Sequence, residues 1–232
     1  MLFTTPADSS IFPTVSGTGY ASLTIGKTGL ATLKGQLADG TAFTQGGSLR
    51  GSGLVTDPLT LGVFVQLPYA ASGVLDGVLT FTPDAGVSDA SGNWSWIKAG
   101  PGIGEMFRDG FTMHIAAIAS LYTPPAHNVL PLALASGTGN AVLAIGDPFF
   151  SSLQMVSQLV TFTGTGLAGA LPDDLKLKVN RANGMVTGTF YNPHLEATEK
   201  INGVLFQDQS MAAGLFVGPY GGGYFTLTPT PP

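Results

Sequence analysis

Apolar residues recur at every second position along much of this chain, and turn residues cut the pattern into short runs. The runs are Ala21, Leu23 and Ile25, then Leu30 to Leu37, Leu61 to Leu67, Val74 to Phe81, Leu175 to Val179, and Gly214 to Val217. A period of two places apolar side chains on one face of an extended strand, whereas a helix needs spacings of three and four. Between the runs stand Lys27-Thr28-Gly29, Asp39-Gly40, Ala182-Asn183-Gly184 and Asn192-Pro193-His194. Gly and Asn accept the positive φ that tight hairpin turns demand. The pattern therefore predicts antiparallel β-structure throughout.

Parts of the pattern occur twice. SLTIGKTGLATLKGQL from Ser22 aligns with KLKVNRANGMVTGTF from Lys176, which matches Gly29 to Gly184 and Thr32 to Thr187. Further on, Pro68-Tyr69 aligns with Pro219-Tyr220, Gly77 with Gly223, Thr80 with Thr226 and Pro83 with Pro229. Because Gly222-Gly223 runs directly into a strand, Gly77 reads as a bulge or a close backbone approach rather than a hairpin turn. Two related β-meanders, 22–83 and 176–229, are thus expected within one all-β domain over 17–229. An insert, 84–174, adds strands near Asn93 to Lys98, Phe111 to Leu121, Ala141 to Ile145 and Leu159 to Thr163. Closure into a barrel removes the strand edges that otherwise invite aggregation. A barrel and two packed β-subdomains both remain open, as does a sandwich. The Pro/Thr-rich segments 1–16 and 230–232 read as linkers, and with them the chain reads as a domain from a longer polypeptide.

Charged residues form 10% of the chain, against roughly 25% in an average globular protein. The 44% apolar content nonetheless supplies a core. Net charge is −5 with nine Lys and Arg, and no basic stripe is visible, so nucleic acid is excluded as an expected partner. No apolar run approaches the roughly 20 residues that a spanning helix needs. The opening MLFTTPADSS lacks the positive and apolar regions of a signal peptide. Cysteine is absent, which excludes disulfides, thiolate nucleophiles and zinc–thiolate sites.

The segments GYASLTIGKTGLATLKGQLADGT, NWSWIKAG followed by Asp109 to Phe111, and GMVTGTFYNP leading to GVLFQDQSMAAGLFVG carry a resemblance. They resemble repeat-containing β-rich segments of very large secreted or surface proteins of environmental, Verrucomicrobia-type bacteria. The resemblance implies an extracellular module with other domains of a longer chain as neighbours. Its motifs are glycine, turn and apolar positions, so it carries over no functional residue.

Trp94 and Trp96 stand two apart on an expected strand, with Lys98 next in the row. Both indoles leave one face roughly 7 Å apart, which is the layout of a sugar-stacking platform and equally that of two core anchors. Tyr69 and Tyr220 are further candidate aromatic ligand contacts, or barrel-end plugs. The loop AGPGIGEMFRDGF gathers Glu105, Arg108 and Asp109. A glycoside hydrolase needs two carboxylates about 5.5 Å apart for retention or about 6.5 to 9.5 Å for inversion. Glu105 is the candidate acid, Asp109 or Asp76 its partner, and Arg108 a ligand contact or a local ion-pair partner.

Asp84, Asp89 and Asn93 offer oxygen ligands of the kind calcium takes, without EF-hand spacing. His114, His127 and His194 are scattered and form no zinc pattern, and no G-x-S-x-G elbow occurs. His114, inside an apolar run, reads as a structural histidine. GTGLAG, Gly164 to Gly169, fits the dinucleotide glycine pattern, but Pro172 and two aspartates follow where a helix should open. It reads as a β-turn. The expected function is carbohydrate binding or adhesion, without catalysis and without a cofactor. A carboxylate-pair hydrolase and a structural spacer stand as alternatives.

Overall fold

The computed structural model describes residues 1–4, 18–51, 54, 57–101, 107, 109–146, 156–169, 171–193, 195–218 and 222–231. The chain is all-β and antiparallel. Among the described residues the one helical segment is a short 3-10 turn, Pro172–Asp174, and no helix is long and apolar enough to cross a membrane. The chain divides into two compact units, Met1–Ser120 and Leu121–Pro232. The stretch expected as an insert, 84–174, is shared between them.

The first unit contains β1 (Leu2–Thr4), β2 (Thr18–Ile25), β3 (Leu30–Gln36), β4 (Ala42–Ser48), β5 (Leu59–Gln66), β6 (Gly73–Phe81), β7 (Ala90–Lys98) and β8 (Phe111–Ala119). They form one sheet in the order β4-β3-β2-β1-β8-β7-β6-β5. The sheet curls into a nearly closed barrel. Among the described residues no continuous ladder joins its ends. Arg50 and Thr60 instead exchange two backbone hydrogen bonds of 2.8 Å. Beyond them the Gln45 side chain substitutes for a strand residue, because its Nε2 donates to the Gly62 carbonyl at 2.9 Å and its Oε1 accepts from the Phe64 N–H at 3.0 Å.

Alternation fills the interior with Leu33, Leu61, Leu75, Leu79, Ile115 and both tryptophans. Phe3 packs against Trp94 at 4.9 Å between ring centroids with the rings tilted by 43°, and Phe111 meets Trp96 edge-on at 4.7 Å. Gly77 gives the Trp94 indole its place, since a Cβ there would fall on the ring. The close approach expected at Gly77 is therefore an aromatic side chain laid over bare backbone.

The second unit contains β9 (Ala141–Gly146), β10 (Val156–Val160), β11 (Lys176–Asn180), β12 (Met185–Asn192), β13 (Ala197–Phe206), β14 (Met211–Val217) and β15 (Gly222–Pro229). Their order is β10-β9-β15-β14-β13-β12-β11, a half-barrel. Its core includes Leu143, Ile145, Val186, Phe190, Ile201, Phe216 and Phe225. The strand expected at Leu159 to Thr163 ends at Val160, because the chain then turns back: Ala168 donates to the Thr161 carbonyl and Phe162 bridges Leu167. GTGLAG is thus part of a hairpin, with Gly164 and Gly169 at positive φ. Gly29 and Gly184, aligned in the sequence, each turn between two antiparallel strands with φ of 78° and 71°.

Candidate functional site

The first unit presents two places where polar and aromatic side chains converge. One is the end of the barrel where the β3–β4, β5–β6 and β7–β8 connections meet. Strand alternation brings all three to the same end. The Tyr69 hydroxyl donates to Asp39 Oδ2 at 2.7 Å and accepts from Trp96 Nε1 at 3.0 Å. The Lys98 ammonium lies 4.7 Å above the Tyr69 ring centroid, a cation–π contact. Burial and the Asp39 carboxylate hold the Tyr69 hydroxyl far above the usual phenol range, opposed by hydrogen bonds from Thr41 and Trp96. Burial also raises Tyr20. The Asp39 carboxylate, through Oδ1, takes the Thr41 N–H at 2.9 Å as well, so these groups fix the β3–β4 and β5–β6 connections and strand β7 to one another.

Several expected ligand contacts are therefore corrected. Trp94 and Trp96 are 0% and 1% exposed, so neither offers a face to a sugar. The reason lies in the pairing: Trp96 is in register with Leu75 on β6 and Met113 on β8, all inward. Trp94 donates its indole N–H to the Val78 carbonyl at 3.2 Å. Lys98, on the same face, is 3% exposed. Tyr69 is half-buried and engaged as described. Asp109 is exposed in the β7–β8 loop. Glu105, Arg108 and Tyr220 lie outside the described residues.

Asp76 is also relocated. It sits mid-strand on β6, paired with Phe64 and Ser95, and points outward, opposite to the tryptophans. Glu105, the acid expected to pair with either Asp76 or Asp109, lies outside the described residues. Of the oxygen ligands considered for calcium, Asp84 closes a tight turn by exchanging backbone bonds with Ser88, while Asn93 lies on the outer face of β7. Among the described residues no group of three or more His, Asp or Glu could hold a metal ion.

The second place is that outer face, and sequence reading missed it. Register lines up Phe64, Asp76, Ser95 and His114 in one row across β5, β6, β7 and β8. With strands about 4.8 Å apart the row spans about 14 Å. Phe64 is 66% exposed, far more than an aromatic ring usually is. Val78 and Ile97, also exposed, stand beside the row, two positions from Asp76 on β6 and from Ser95 on β7. Ser95 Oγ and His114 Nδ1 are 3.5 Å apart. His114 was expected as a structural residue, yet alternation with Phe111, Met113 and Ile115 turns it to the outside.

Compared with known protein families, curated proteins and solved structures, the chain matches none.

Proposed function

We propose that this chain is a non-catalytic carbohydrate-binding module of a larger secreted or cell-surface protein, and that it takes an uncharged polysaccharide on the outer face of β5 to β8. The observation that carries the reading is the exposed Phe64 ring standing in register with Asp76, Ser95 and His114. A flat ring packs against the C–H face of a pyranose. A neighbouring carboxylate accepts from two adjacent hydroxyls, and charge-assisted acceptance is roughly twice as strong as neutral hydrogen bonding. Ser95, His114 and the exposed Asn93 add donors and acceptors along the same face. Apolar side chains left exposed together mark a contact surface.

The reading is tested by titrating the chain with a panel of neutral soluble polysaccharides, beside Phe64→Ala and Asp76→Asn. At least one neutral polysaccharide is expected to bind, with loss of about 1 to 3 kcal/mol on removing the stacking ring, the range measured for other ring-stacking contacts. Binding that survives both substitutions would overturn the site, and no binding across the panel would overturn the function.

A further inference from the structure

The second unit carries a face of opposite charge character. Its outward rows across β11, β12 and β13 read Lys176, Thr189, Lys200 and, beside them, Lys178, Thr187, Asn202. Tyr191, paired with Thr198, extends the same face and is 38% exposed. All three lysines are exposed. They are three of only nine cations in the chain, and the sequence conceals this because Lys200 follows Lys178 by a full hairpin. Register places Lys176 about 7 Å from Lys178 along one strand, and Lys200 about 10 Å across two strand spacings.

We infer that this face is a second glycan site, selective for an acidic polysaccharide. Flexible ammonium groups act as point charges that follow regularly spaced carboxylates. The hydroxyls of Thr187 and Thr189 and the Asn202 amide sit between the lysines and suit sugar hydroxyls, while the Tyr191 ring suits stacking. The nearest carboxylate in sequence, Glu199, alternates to the opposite face and is buried, so it does not face the lysines. Asp173 and Asp174 precede β11 in the 3-10 turn, and Glu196 lies in the β12–β13 turn, all beyond the rows. The protein as a whole is negative, which disfavours a long polyanion that must track the entire surface and favours a local patch.

The test is titration of the full chain with oligogalacturonate and with an uncharged oligosaccharide of equal length, for the parent, the Lys176→Gln/Lys178→Gln/Lys200→Gln triple variant, Tyr191→Ala and Phe64→Ala. Circular dichroism checks folding of each. Oligogalacturonate is expected to bind the parent, to weaken about tenfold or more in the triple variant and in high salt, to weaken in Tyr191→Ala, and to be untouched in Phe64→Ala. Equal binding by the triple variant, or no binding by the parent, would overturn the inference. So would equal competition by inorganic phosphate or by anionic lipid vesicles, since the patch would then select charge alone. Because the neutral ligand is read separately through Phe64, either site can fail while the other stands.

Discussion

Trp96 donates its indole N–H to the Tyr69 hydroxyl at 3.0 Å, and that single bond decides how the barrel end is built. A buried indole N–H needs an acceptor. Tyr69 provides it and donates its own O–H to the Asp39 carboxylate, so a core strand, the β5–β6 connection and the β3–β4 connection share one chain of hydrogen bonds. Gly73 lets the Tyr69 ring lie against the strand, since a Cβ there would meet the ring.

Tyr69→Phe should therefore cost about 1 to 3 kcal/mol, the range for leaving buried polar partners unsatisfied. Urea unfolding followed by tryptophan emission measures it. A cost near zero would mean that water replaces the hydroxyl without penalty.

The same hydroxyl predicts an alkaline limit. Its folded pKa is raised above the ordinary 10.0 by burial and by Asp39. A raised folded pKa contributes stability that is fully present below pH 10 and is lost as pH climbs through the folded value. The denaturant midpoint of the parent should fall above pH 10 more steeply than that of Tyr69→Phe. Tyr20 and Tyr122, both also raised by burial, contribute to the slope that remains. Identical slopes would exclude Tyr69 as the source.

The buried indoles give an optical test. Trp94 and Trp96 are the only tryptophans and both lie inside the first unit. Emission should be blue-shifted, poorly quenched by acrylamide, and unchanged when polysaccharide binds the outer face. Quenching by a bound ligand would return the tryptophans to the binding surface.

The strands and many turns were legible because each rests on local chemistry. Alternation located β2, β3, β5, β6 and β11, and Gly29, Gly40 and Gly184 marked turns through their tolerance of positive φ. The face of Trp94 and Trp96 was not legible, since a period of two says that both point the same way without saying which. Only pairing with Leu75 and Met113 settles that they point inward. The Phe64 row and the lysine face were hidden for a related reason. Their members are separated by whole hairpins and meet only through register, which a one-residue slip would destroy.

Gln45 supplies the last test, because it links barrel closure to the proposed ligand face. Its amide holds the Phe64 N–H and the Gly62 carbonyl from across the β4–β5 gap. Gln45→Ala removes both bonds but no core packing, so the loss of stability should be modest, about 1 kcal/mol. The local effect should be larger: hydrogen exchange at the Phe64 amide should accelerate while that at Leu75 and Trp96, deep in the ladder, stays slow. Gln45→Glu should restore protection at Phe64, since a carboxylate still accepts, without restoring the bond to the Gly62 carbonyl. Unchanged exchange at Phe64 in Gln45→Ala would show that the Arg50–Thr60 pair closes the barrel without help.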